Sequence, residues 1–178
     1  AGGSIGKELC KQIVHLNPTT IVLVENNELA LYQIEQLLSE LKITHKLQTL
    51  IVPVLASVTD KDAITRRMIE NSVDTVYHAA AYKHVPLLED NVISALENNV
   101  VGTRMVLEAA IYSGVTSFTL ISTDKAVRPT NVMGASKRFA ELVCQAYSQE
   151  QSGTKISMVR FGNVLASSGS VIPHFQRQ

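Results

Sequence analysis

The strongest constraint on this chain is an alternation, in which short β-branched runs of strand length are separated by longer segments of helical periodicity. Thr19 to Glu25, Leu47 to Leu55, Asp74 to Ala80, Ser117 to Ser122 and Lys155 to Phe161 read as strands. Ser4 to Leu16, Glu28 to Leu41, a segment capped by Asp60 or Asp62 and running to Asn71, Asn91 to Ser113, and Val132 to Gln151 read as helices. Gly114 ends the fourth of these, as a residue that adopts positive φ without a steric cost. Strands joined by helical crossovers pair in parallel, because each crossover returns the chain in the same direction, and the helices then cover both faces of the sheet. The expected fold class is α/β, a Rossmann-like doubly wound parallel sheet, forming one domain over residues 1–178. Such sheets bind ligands at the carboxyl ends of their strands. The loops to inspect are therefore "AGGSIG", "ENNE", "SVTD", "AAAYKH", "STDK" and "RFGNVLASSGS".

Charge narrows the partners. Sixteen basic residues balance sixteen acidic ones, so no global field draws the chain to nucleic acid or to an anionic membrane surface. A phosphate-bearing ligand has to be held by local geometry instead. Cys10 and Cys144 each fall in a helical segment, which favours buried reduced thiols over a disulfide and fits a reducing compartment. No apolar run approaches the length of a membrane span. The five histidines (His15, His45, His78, His84 and His174) and the two cysteines lack metal-ligand spacing, so no metal site is expected.

Gly2, Gly3 and Gly6 stand directly before a helix, with Ser4 and Ile5 between them. There, backbone N–H groups and the helix N-terminus can hold a pyrophosphate while absent side chains permit its approach. A helix cap built of small residues has the same appearance. Glu25 separates the two readings, since it ends the next strand about 20 residues on, where a carboxylate accepts bonds from ribose hydroxyls and repels a 2′-phosphate. That favours NAD over NADP. Asp60 reads as a helix cap that could also approach an adenine. Ala79, Ala80 and Ala81 suit either helix packing or the passage of a dinucleotide. Lys83 and His84 lie in a ligand-facing loop, His78 reads as a buried imidazole, and Asn99 inside a helix would have to support the active-site backbone or a water.

The sharpest cluster is Thr123, Asp124 and Lys125, a hydroxyl, a carboxyl and an amine just past a buried strand. Lys137 on the following helix and "RFGNV" after the next strand raise it above an ordinary turn. Four positions before Lys137, where a short-chain dehydrogenase carries a tyrosine as its base, the residue is Met133.

Together, "AGGSIG", "HAAAYKHVP", "ENNVVGT", "STDKAVRPTNVMGASKR" and "VRFGNVLASSGSVIPHF" resemble the polysaccharide-biosynthesis branch of the extended short-chain dehydrogenases, the UDP-N-acetylglucosamine 4,6-dehydratases. The Met in place of Tyr resembles the long form, whose catalytic domain follows transmembrane helices. The resemblance implies a homo-oligomer on the cytoplasmic face of the inner membrane that makes a UDP-4-keto-6-deoxy sugar for surface polysaccharide. It puts the NAD pyrophosphate on Gly3 and Gly6, its ribose on Glu25 and its adenine near Asp60. Thr123, Asp124 and Lys125 become the reaction cluster and Lys137 the holder of the nicotinamide ribose, while Arg160, Asn163, Ser168, Gly169 and Ser170 face the UDP-sugar. A proton on Asp124 and a free amine on Lys125 require their pKa values to move from about 3.9 and about 10.4 toward neutrality. Met133 then reads as a reassignment of the tyrosine's work. A UDP-sugar 4-epimerase and a non-catalytic binding domain are the alternatives. The chain opens inside the glycine motif, and the strand ahead of that motif belongs between the strands ending at Glu25 and near Ala80, so a gap or distorted contact is expected there.

Overall fold

In the computed structural model, which describes residues 1–151 and 153–162, strands and helices alternate as the sequence predicts. The order is α1 (Ser4–His15), β1 (Thr20–Glu25), α2 (Glu28–Thr44), β2 (Leu50–Leu55), α3 (Lys61–Glu70), β3 (Thr75–His78), α4 (Val85–Glu89), α5 (Val92–Leu96), α6 (Gly102–Tyr112), β4 (Ser117–Thr123), α7 (Val132–Glu150) and β5 (Lys155–Phe161). All the strand pairs are parallel. None of the helices among the described residues is long and apolar enough to cross a membrane.

The long helix expected from Asn91 to Ser113 is present, but it carries an insertion. Between α5 and α6 the residues Glu97–Val101 form a π-helical turn, which widens the helix by one residue and swings Asn99 inward to full burial. Gly114 ends α6 at a φ of +72°, the left-handed conformation that an L side chain disfavours. Upstream, the loop containing Pro86 holds the short helix α4, with the proline in its first turn, where no N–H is needed.

The strands form two sheets, β1-β2 and β3-β4-β5, and β1 does not pair with β3. The expected break therefore falls between the strand ending at Glu25 and the one ending at His78. Beside it, the Ala1 nitrogen donates to the Val24 carbonyl at 2.8 Å, so the chain entering α1 runs against the open edge of β1. Each sheet has its own apolar cluster. Val14, Ile21, Leu23, Ile34 and Leu38 join α1 and α2 to β1. Ile64, Leu107, Ala110, Phe118, Leu120 and Cys144 join α3, α6 and α7 to β4. Strict alternation along β4 sends Phe118, Leu120 and Ser122 to the helices and leaves Ile121 and Thr123 on the other face.

Phe118 is the largest fully buried side chain among the described residues. Phe118→Ala is expected to lower unfolding stability by about 3–5 kcal/mol in denaturant titration. A loss under about 1 kcal/mol would contradict its place at the centre of the core.

Candidate functional site

The carboxyl end of β4 gathers the predicted cluster. Thr123 closes the strand, and Asp124–Ala126 form a 3-10 turn that Thr123 caps by accepting from the Lys125 backbone N–H at 3.3 Å. The Thr123 hydroxyl donates to Asp124 Oδ1 at 3.0 Å, and Lys125 Nζ lies 3.6 Å from the same oxygen. The three side chains therefore converge on one carboxylate oxygen. Asp124 is exposed, and the Thr123 hydroxyl, helped by the Lys125 ammonium, holds its carboxyl below the usual range. This differs from the raised pKa an acid would need, because in this arrangement nothing covers the carboxylate strongly enough to favour its neutral form.

Helix α7 brings Lys137 against the strand. The close approach needs a glycine, since a Cβ at Gly134 would collide with the Lys125 carbonyl oxygen. One turn further on, Lys137 is buried and its ammonium donates to the Ile121 carbonyl at 2.8 Å. Burial lowers its pKa to about 8. Met133 is buried too, packed with Leu88 and Ala95 and against Val85 and Val132, so it seats α4 and α5 on the start of α7.

The next turn of α7 holds a residue that sequence reasoning missed. Glu141 is 1% exposed. Its carboxylate accepts from Ser122 Oγ at 2.7 Å, Arg160 Nε at 2.8 Å, Arg160 Nη2 at 2.6 Å and Arg138 Nη1 at 2.9 Å. Burial pushes its carboxyl up, but the Arg160 guanidinium and the Ser122 hydroxyl outweigh this and hold it near 2. Arg160, expected to face the sugar, thus directs two of its nitrogens at Glu141. Asn163, Ser168, Gly169 and Ser170 lie outside the described residues.

At the other end of the site, Gly3 is the N-cap of α1, makes no side-chain cap and has open space where a Cβ would stand. Gly2 and Gly6 are close approaches: a Cβ would meet Ala30 or the Ala1 carbonyl. Ser4, Ile5 and Gly6 are half-buried in the first turn of α1. An open N-terminal turn flanked by obligatory glycines fits a pyrophosphate. Glu25 stands beside it, as predicted, but its carboxylate is already engaged. It accepts from Ala1 N at 3.1 Å and Gly2 N at 2.7 Å on one oxygen, and from Asn26 N and Asn27 N on the other. Asp60 caps α3 by accepting from the Ala63 N–H. Ala79, Ala80 and Ala81 line the loop after β3, half-buried, while Lys83 and His84 are exposed just beyond.

Asn99 joins these two ends. Its side-chain carbonyl accepts from the Tyr82 N–H at 2.8 Å, and its amide donates to the Tyr82 carbonyl and to Ser136 Oγ, both at 3.0 Å. One amide thus fastens the loop after β3 to α7. Behind it the Thr103 hydroxyl donates to the Asn99 carbonyl and pairs with His78 Nε2. Burial, with the Lys137 charge nearby, lowers the His78 pKa to about 3 and keeps the ring neutral. The sequence pointed to Asn99 as a support for backbone and to His78 as a buried imidazole, whereas their partners Tyr82, Ser136 and Thr103 depend on the packing. No group of three His, Cys, Asp or Glu side chains among the described residues could hold a metal ion.

Comparison with known proteins identifies a family. A family described as polysaccharide biosynthesis protein matches residues 1–178. The capsular polysaccharide biosynthesis protein CapD of Staphylococcus aureus is 49% identical over the whole chain, which spans 29% of that protein. The UDP-N-acetylglucosamine 4,6-dehydratase (inverting) of Campylobacter jejuni is 31% identical over 98% of the chain and 50% of its own length. Among solved structures, Pen from Bacillus thuringiensis superposes with a TM-score of 0.84 and 32% identity over 99% of this chain and 52% of that one. DesIV, a dTDP-glucose 4,6-dehydratase from Streptomyces venezuelae solved with NAD, shares the fold with a TM-score of 0.72 and 21% identity over 89% of this chain and 52% of its own. The chain thus spans between three-tenths and about half of these proteins.

The buried lysine generates a test by pH. An unfolded Lys137 keeps its proton up to its ordinary 10.5, whereas the folded one releases it near 8. Between those values the unfolded state binds more protons, so this group makes stability rise with pH. Denaturant titrations of the wild type and Lys137→Met at pH 7.5 and 10 should diverge by up to roughly 3 kcal/mol, only the wild type gaining. Parallel pH responses would show that the ammonium is not desolvated.

Proposed function

The chain belongs to the polysaccharide biosynthesis protein family, and from that premise we propose that the protein containing it is an NAD-dependent UDP-N-acetylglucosamine 4,6-dehydratase. Its family relations include nucleotide-sugar dehydratases and epimerases. What favours dehydration is the convergence of Thr123, Asp124 and Lys125 on one carboxylate oxygen at the end of β4. An epimerase interconverts one centre and needs no separate acid for a leaving hydroxyl, whereas water loss needs both a base and an acid.

Bound NAD would supply a reversible hydride acceptor, for the hydride that leaves C4 of the sugar and is later returned to C6. Gly3 and Gly6 would hold its pyrophosphate, Glu25 its adenosine ribose and Lys137 its nicotinamide ribose. Since four donors already engage Glu25, ribose hydroxyls would replace some of them. On the sugar, Thr123 passes the 4-hydroxyl proton to Asp124, with which it is hydrogen-bonded; Lys125 removes the proton from C5, Asp124 gives its proton to the departing C6 oxygen as water leaves, and Lys125 returns its proton to C5. Asp124 gains the needed basicity when the sugar draws the Thr123 hydroxyl off Oδ1 and covers the carboxylate, because those contacts and that exposure keep its pKa low. Lys83 and His84 remain candidates for the nucleotide-sugar. Met133, packed in an apolar cluster, supplies shape alone.

Incubation of the full-length protein with UDP-N-acetylglucosamine, followed by mass spectrometry, should give a product lighter by one water. An unchanged mass with a new C4 epimer would support an epimerase; no conversion would support a binding domain. Asp124→Asn and Lys125→Met should each abolish water loss while leaving some enzyme-bound NADH detectable by absorbance, and Thr123→Val should slow NADH formation as well. Met133→Leu should retain most activity, a near volume-conserving change costing under ~1.5 kcal/mol. If Met133→Leu is as damaging as Lys125→Met, the tyrosine's work has not passed to this cluster. Cofactor choice is a separate test: the protein should prefer NAD to NADP, and Glu25→Ala should narrow the preference measured by binding titration. A wild type that favours NADP would refute the role of Glu25.

A further inference from the structure

We propose that Glu141 is a positioning residue, whose carboxylate sets the spacing between Lys137 and the Thr123-Asp124-Lys125 cluster by clasping α7 to β4 and β5. Two ties connect the helix to the strand. Lys137 reaches the carbonyl of Ile121, and Glu141, one turn later, receives the hydroxyl of the adjacent Ser122. Two ties a turn apart prevent both sliding and rotation of the helix, which a single tie does not. The third strand joins the same point, because Ser122 and Arg160 are cross-strand partners and both direct their donors at Glu141. The next register row is Thr123 against Phe161, so the clasp sits immediately behind the reaction cluster.

A carboxylate is a costly way to fill this place. On the same helix Ala140 and Cys144 pack apolar side chains against the β4 sheet, and a buried ion pair gives less stability than apolar groups of similar volume once its desolvation is counted. What the ion supplies is direction, since a carboxylate bound by a fork of Arg160 nitrogens and by Ser122 accepts only one arrangement of the three elements. Arg160 is thereby the counter-ion of the clasp, and the sugar is left to other residues.

The reaction affected is the one proposed above, but the geometry stands apart from it, and the experiment keeps them distinct. Wild type, Ser122→Ala, Glu141→Gln and Arg160→Lys forms of the full-length protein are compared for melting temperature, for kcat and KM of water loss, and for the pH midpoint of Lys137 acetylation by acetic anhydride, read by peptide mass spectrometry. Ser122→Ala removes one hydrogen bond and leaves the ion pair in place, so it should fold and melt close to wild type while kcat falls roughly tenfold and KM holds. Glu141→Gln should lower kcat on the order of 10²-fold and shift the Lys137 midpoint to lower pH, because a neighbouring anion that favours the ammonium is gone. Arg160→Lys should lower kcat and leave KM unchanged. A merely structural Glu141 would lower the melting temperature in Glu141→Gln and leave its kcat untouched, and would leave the labelling midpoint of Ser122→Ala untouched. That outcome overturns the proposal, as does an Arg160→Lys protein whose KM rises at constant kcat. If the wild type loses no water, the dehydratase reading fails, and Ser122→Ala decides Glu141: it changes no charge, so a shifted Lys137 midpoint supports the clasp and an unshifted one overturns it.

Discussion

The close attachment of α7 to the end of β4 is the constraint on which the rest of the site depends. It exists because position 134 has no side chain. A Cβ at that point would occupy the Lys125 carbonyl oxygen, so the helix would stand off from the strand and Lys137 would miss the Ile121 carbonyl. With the glycine in place, one helical face presents Gly134, Lys137 and Glu141 to β4 and its following turn in succession. The placement of the lysine therefore follows from backbone proximity. Its lowered pKa follows from the burial that this proximity enforces.

A buried amide solves the companion problem of holding the other wall. The loop after β3 lies outside the sheet ladder, so the Tyr82 backbone takes its partners from a side chain. Asn99 supplies both a donor and an acceptor to that one residue and still reaches Ser136 on α7. An unbroken α-helix would rotate the side chains beyond the insertion by about 100° relative to those before it. The π turn at Glu97–Val101 places Asn99 inward while leaving α6 free to present Val106, Leu107 and Ala110 to the core.

Two carboxylates of the site, Asp124 and Glu141, are held in opposite ways. Asp124 is open to water and bound by neighbours in its own turn, so its state can change when a ligand covers it. Glu141 is enclosed and bound by three elements, and its charge persists through the whole physiological range. Under the proposed reaction, a group that exchanges a proton and a group that holds a shape would call for these different surroundings.

Local chemistry was legible in the sequence because it depends on neighbours along the chain. The β-branched runs and the helical spacing marked the described strands and the long helices, Gly114 marked its helix end, and Asp60 announced its cap. Adjacent residues Thr123, Asp124 and Lys125 had to share a turn, so their convergence could be read directly. The break between β1 and β3 could also be foreseen, from the rule that places a strand between them. Other features depend on residues far apart in the chain. Nothing local to Glu141 says that Ser122 and Arg160, each 19 positions away, will meet it. Nothing local to Glu25 says that its carboxylate will face the amide of Gly2. Periodicity assigns a side chain to a face of its element, and only the packing of those faces decides which charges become partners, which are desolvated, and hence which protons can move.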